Sequence, residues 1–89
     1  MSKKKIIKKV LKYIAVFEPA IEGGYIVSIP TLPGCMSQGD TFEDAKEMIQ
    51  DAITGYLEVM KKEKEEIPQE TSETVVATIT VPYPSYLGA

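Results

Sequence analysis

Residues 28–45 read SIPTLPGCMSQGDTFEDA, with two prolines and two glycines placed around the only cysteine of an 89-residue chain. As a reactive loop this stretch would belong to an enzyme. As a turn between two elements it would belong to a binding domain. Pro30 and Pro33 have no N–H for a strand ladder, so regular pairing ends near Pro30. Leu32-Pro33-Gly34 is a tight turn, and Cys35–Gly39 is long enough for a short strand. Gly34 and Gly39 supply backbone freedom. Asp40 or Thr41 then caps a helix. Thr41 with Asp44 three residues on resembles a capping box. Glu43 and Asp44 fall in the first turn, where the helix dipole favours acids. The stretch therefore predicts strand end, short strand and helix start.

Working outward, Lys12–Glu18 is rich in aromatic and β-branched residues and predicts a strand. Pro19–Gly24 is a turn, and Tyr25–Ile29 is a second strand with Tyr25, Val27 and Ile29 on one face. The two form an antiparallel hairpin. Downstream, the helix is predicted from Phe42 to about Lys62. Ala45, Met48, Ile49, Ala52, Ile53, Tyr56, Leu57 and Met60 form its apolar face, which core packing would use. Glu43, Lys46, Glu47, Gln50, Asp51 and Glu58 form the wet face. Lys61, Lys62 and Lys64 complement the dipole at its end. Ile67–Glu73 is a polar connector. Thr74–Val81 predicts a further strand, with Val75, Ala77, Ile79 and Val81 on one face and Val76, Thr78 and Thr80 on the other.

The predicted order β-β-β-α-β is an α+β fold, one helix on one face of a small antiparallel sheet. Residues 13–81 form the domain. Residues 1–12 are a basic arm and 82–89 an irregular tail.

Charge is unevenly placed. Residues 1–12 hold Lys3, Lys4, Lys5, Lys8, Lys9 and Lys12 and no acid. The rest of the chain holds four lysines against all thirteen acids, a net charge of −9. An acidic body attracts basic partners and repels nucleic acid, whereas the arm does the opposite. The chain has no arginine, the usual residue for bidentate phosphate or base contacts. It also has no histidine, which removes Ser-His and Cys-His dyads and histidine metal sites. Cys35 has no lysine close in sequence and reads as a small, half-buried loop residue. The helix acids read as a solvated face and not as metal ligands. The apolar runs are too short to span a bilayer, no signal-peptide pattern is present, and a single cysteine fits a reducing cytoplasm. No catalytic residue, cofactor or metal site is expected.

Gly23-Gly24-Tyr25 before the second strand, the Pro-x-Leu-Pro-Gly-Cys turn of 30–35 and Gln38-Gly39-Asp40-Thr41-x-Glu43-Asp44-Ala45 at the helix start resemble the HicB-like antitoxin family over about Tyr13 to Val81. That resemblance implies a truncated RNase H-like fold without that fold's catalytic acids. It implies an antitoxin that binds and blocks a small basic ribonuclease toxin, HicA, and that oligomerises as a dimer or tetramer. It also implies repression through a DNA-binding domain after the last strand. Only eight residues follow Val81, so DNA binding by that route is not expected here.

Tyr25, Pro33, Gly34 and Gln38, with the helix acids Glu47 and Asp51, are the expected partner surface. A second reading, from another class, is a solitary oligomeric accessory protein that binds nucleic acid through Lys3, Lys4, Lys5, Lys8 and Lys9. A third, a small metal-dependent hydrolase, predicts bound metal after purification.

Overall fold

A computed structural model describes residues 10–85 of the chain. The lysines of the arm up to Lys9 lie outside the described residues. Three strands and one helix follow in chain order: β1 (Val16–Pro19), β2 (Tyr25–Ser28), β3 (Met36–Gly39) and α1 (Phe42–Lys62). The sheet is antiparallel in the order β1-β2-β3, and α1 packs on one face of it, chiefly against β3 and β2. This is the expected α+β arrangement.

The register explains the two faces. Phe17, Val27 and Ser37 lie side by side, as do Pro19, Tyr25 and Gly39. These rows face α1. Val16, Ser28 and Met36, then Glu18, Ile26 and Gln38, form the outer face. Val27, Ile29, Leu32, Cys35, Ala45 and Ile49 make the buried core, with Tyr13, Ala15, Phe17, Tyr25, Ala52, Ile53, Tyr56 and Leu57 packed around it. Cys35 is 4% exposed, so it is fully buried and not half-buried. Burial holds its thiol above the usual range, in the neutral form. Met48 is half exposed, at the margin of the helix face where the spacing had placed it inside.

β1 is shorter than expected. Its pairing with β2 stops at Val16↔Ser28. The residues that follow β2 are Ile29, whose N–H goes to the Cys35 carbonyl at 3.1 Å, and Pro30, which has no N–H. Tyr13, Ile14 and Ala15 therefore run on without a ladder. The Tyr13 hydroxyl donates to the Pro68 carbonyl, and the Ile14 N–H donates to a Glu70 carboxylate oxygen at 2.9 Å. These bonds tie the connector after α1 to the start of the sheet.

The helix begins and ends where its signals place it. The Thr41 hydroxyl oxygen accepts from the Asp44 N–H at 3.0 Å, so Thr41 is the cap. At the far end Lys64 N–H donates to Lys61 carbonyl and Glu65 N–H to Met60 carbonyl. This is a Schellman closure with Lys64 in the left-handed region at φ 57°. Glycine usually occupies that position.

One expected element is different. Thr74–Val81 belongs to no strand and stands clear of the body, with Val75, Val76, Ile79 and Val81 each at least 71% exposed. A β-prone pattern makes a strand only when another edge supplies its hydrogen bonds. Among the described residues none does.

Candidate partner-binding site

The helix starts close against the sheet because Gly39 has no side chain. A Cβ there would overlap the backbone of Asp44 and Ala45. Gly39 has an ordinary φ, so close approach, not backbone freedom, is what requires glycine at this position. Gly34 does supply freedom, with φ 82° in the 31–35 turn.

This tight junction shapes a cleft of about 720 Å³ at the end of the sheet, between the β1–β2 turn and residues 38–44. Tyr25 and Gln38 both line it, so the structure brings these two expected site residues together. Tyr25 is held with its ring edge-on to Phe42, centroids 6.1 Å apart. Phe42 in turn lies 4.5 Å from Phe17. Three carboxylates also line the cleft: Glu22 from the turn, Asp40 from the strand end and Asp44 from the first helical turn. Sequence reasoning did not single out this trio. Glu22 and Asp40 are far apart in the chain and meet only through the Tyr25↔Gly39 pairing. A hairpin register extended one step past Tyr25, which brings Asp40 opposite Gly24 and next to the turn that holds Glu22, was the signal that could have found them.

Glu47 and Asp51 are exposed one turn apart on α1, and Ile49 between them is buried. They lie on the side of α1 away from the sheet. With Glu43 they continue the acidic lining of the cleft along the helix. Like charges four residues apart on a helix repel, which costs about 0.2–0.5 kcal/mol per pair.

Pro33 and Gly34 are not part of this grouping. The Tyr56 hydroxyl donates to the Pro33 carbonyl at 2.8 Å, which holds the turn near the C-terminal half of α1. At about 1.5 Å per residue, Tyr56 lies about 18 Å along the axis from Asp44. The expected surface thus divides three ways: Tyr25 and Gln38 at the cleft, Glu47 and Asp51 on the outer side of α1, and Pro33 and Gly34 at a turn beside Tyr56.

Among the described residues no three of Asp, Glu, Cys and His are grouped to hold a metal ion, and no helix is long and apolar enough to cross a membrane. The one cysteine is buried and neutral. Three carboxylates, Tyr25 and Gln38 thus share one open cleft at the end of the sheet.

The comparisons with known proteins give that domain its family. The description "HicB-like antitoxin of bacterial toxin-antitoxin system" matches residues 13–86, and the chain belongs to this family. A UPF0150 protein of Thermoplasma acidophilum is 38% identical over 73% of this chain and 94% of its own length. Antitoxin HicB 1 of Photorhabdus laumondii is 42% identical over 72% of this chain but only 41% of its own length. Antitoxin HicB of Escherichia coli K12 is 34% identical over 65% of this chain and 42% of its own. The chain therefore spans less than half of the named antitoxins it matches.

Proposed function

We propose that this chain is an antitoxin that binds and occludes a small basic ribonuclease toxin of the HicA type. The observation that carries the reading is the acidic end of the domain. Glu22, Asp40 and Asp44 surround a cleft beside Tyr25 and Gln38, and Glu43, Glu47 and Asp51 extend that charge along α1. A lysine- or arginine-rich surface is drawn to such an end, and complementary potentials speed and align its docking. Inhibition then needs no bond to be made or broken. The toxin's RNA-binding surface is covered by protein of the same sign of charge as RNA.

The test is co-expression with a small basic ribonuclease of the HicA type, followed by size exclusion and an RNA-cleavage assay. The expected result is a stable complex in which cleavage is suppressed. Glu47→Lys with Asp51→Lys weakens the complex by roughly tenfold or more, about 1.4 kcal/mol per decade, with a smaller loss at high salt. Absence of a complex at low salt overturns the reading. An affinity unchanged by the double substitution at low salt removes the helix acids from it.

A further inference from the structure

An antiparallel sheet covered on one face by a helix ordinarily turns polar side chains to water on the other. The outer face of this sheet does not. Its register sets Val16 beside Ser28 and Met36 in one row, and Ile26 between Glu18 and Gln38 in the next. Val16 and Ile26 are each 41% exposed, and Met36 is 58% exposed. Diagonal neighbours across a strand pair lie about 7–8 Å apart, within reach of long side chains. Val16 is diagonal to Ile26, and Ile26 to Met36, so the three form one patch. At the turn end Ile21 is fully exposed and lines the first cleft with Ile26 and Gln38. The apolar strip therefore runs from the middle of the sheet into that cleft.

Single exposed apolar residues are ordinary on a protein surface, whereas a contiguous strip marks a contact. Met48 and Val59 on α1 are of the first kind, about 16 Å apart along the axis.

The charges around the strip are of one sign. The three strands contain no lysine or arginine. Glu18 lies in the second row, and Glu22 and Asp40 line the cleft at its end. An apolar centre bordered by carboxylates fits a partner whose apolar side chains are ringed by lysine or arginine. Glu47 and Asp51 lie on the far side of α1, which covers the other face of the sheet. One small rigid partner cannot seat on both.

We propose that the outer face of the sheet, centred on Ile26 and Met36, is the surface on which the basic ribonuclease docks, with Glu18, Glu22 and Asp40 at its rim. The inference rests on the antitoxin reading above and gives it a contact face. The helix acids draw the partner in through their field, and the outer face holds it. Charge on the far side then sets the association rate, and packing on the outer face sets the dissociation rate.

The test measures binding of the full chain to a small basic ribonuclease of the HicA type. Ile26→Thr with Met36→Gln removes the strip without a change of charge, and threonine suits a strand. The double variant should dissociate roughly tenfold faster or more, equally at low and high salt, with its circular dichroism unchanged. Val59→Gln, a control on α1 of matched exposure at 55%, should dissociate like the parent. In a methyl-labelled parent chain, the ribonuclease should shift the Val16, Ile26 and Met36 methyls and leave Val59 in place. A parent chain that binds no ribonuclease overturns the antitoxin reading and this inference with it. A parent that binds, with a double variant that dissociates at the parent rate, overturns the docking face alone. So do methyl shifts centred on α1, a result that holds even where the double variant fails to fold. Outer-face methyls that already move with chain concentration, without ribonuclease, assign the strip to a second copy and also overturn the proposal.

Discussion

Two stretches of this chain carry clear patterns and meet opposite ends. From Cys35 to Ala45 each signal finds its partner inside the chain: Cys35 is buried, β3 pairs with β2, Gly39 admits the helix and Thr41 caps it. From Thr74 to Val81 the alternation is at least as regular, yet those side chains stay in water. The difference is not one of propensity. A helix closes its own hydrogen bonds, whereas a strand borrows half of them from a neighbour. Pattern alone therefore settles a helix, and it settles a strand only when the neighbour is known.

The largest expected effect breaks the closed stretch. Gly39→Ala forces its methyl into the helix backbone at Asp44 and Ala45 and should cost roughly 3 kcal/mol, a large part of the stability of so small a domain. Urea unfolding followed by circular dichroism measures it. A loss under 1 kcal/mol would mean that the junction between sheet and helix is looser than described.

Next comes the link between the two stretches. Tyr13→Phe removes the bond to Pro68 and should cost about 1 kcal/mol, read as faster amide exchange of the connector around Ile67–Glu70. Burial first, and the Glu70 carboxylate second, hold the Tyr13 hydroxyl above its ordinary pKa of 10.0. Because the folded value is the higher one, its contribution is complete below pH 10 and is lost as pH rises through the raised value. The parent protein should lose stability there, and Tyr13→Phe should lose less. Equal losses would place the alkaline sensitivity elsewhere.

A smaller effect sits where the helix hands over to the bare stretch. Lys64→Gly relieves a left-handed lysine and should stabilise by about 0.8 kcal/mol, visible as a raised midpoint in thermal unfolding. Smallest is the outer face of α1. Glu47→Lys alone turns two like-charge pairs, with Glu43 and with Asp51, into opposite-charge ones and should gain about 0.5 kcal/mol while weakening a basic partner. Binding and stability moving in opposite directions would mark those acids as kept for recognition.

The sequence was legible where local chemistry decides. The helix bounds follow from Thr41, the 3.6-residue apolar spacing and the lysines near its end. The short third strand follows from Pro33-Gly34 and Gly39. The shortening of β1 was also written there, in Pro30, but only for a reader who places Pro30 opposite Ile14. Gly39 reads from sequence as a flexible joint and is in fact a point of close contact, because contact across elements leaves no local mark. The cleft acids Glu22 and Asp40 were hidden for the same reason. Tyr25 and Gln38, expected singly, line one cleft, while Pro33 and Gly34 lie with Tyr56, away from it.

The bare stretch has a consequence for the lifetime of the molecule. Proteases accept extended backbone and reject packed backbone. Residues 75–81 already have the form a protease cleft takes, and no local unfolding is needed to present them. Cleavage there would leave β1, β2, β3 and α1 intact. The first cut in limited proteolysis is thus expected within residues 75–81, ahead of any in the folded body.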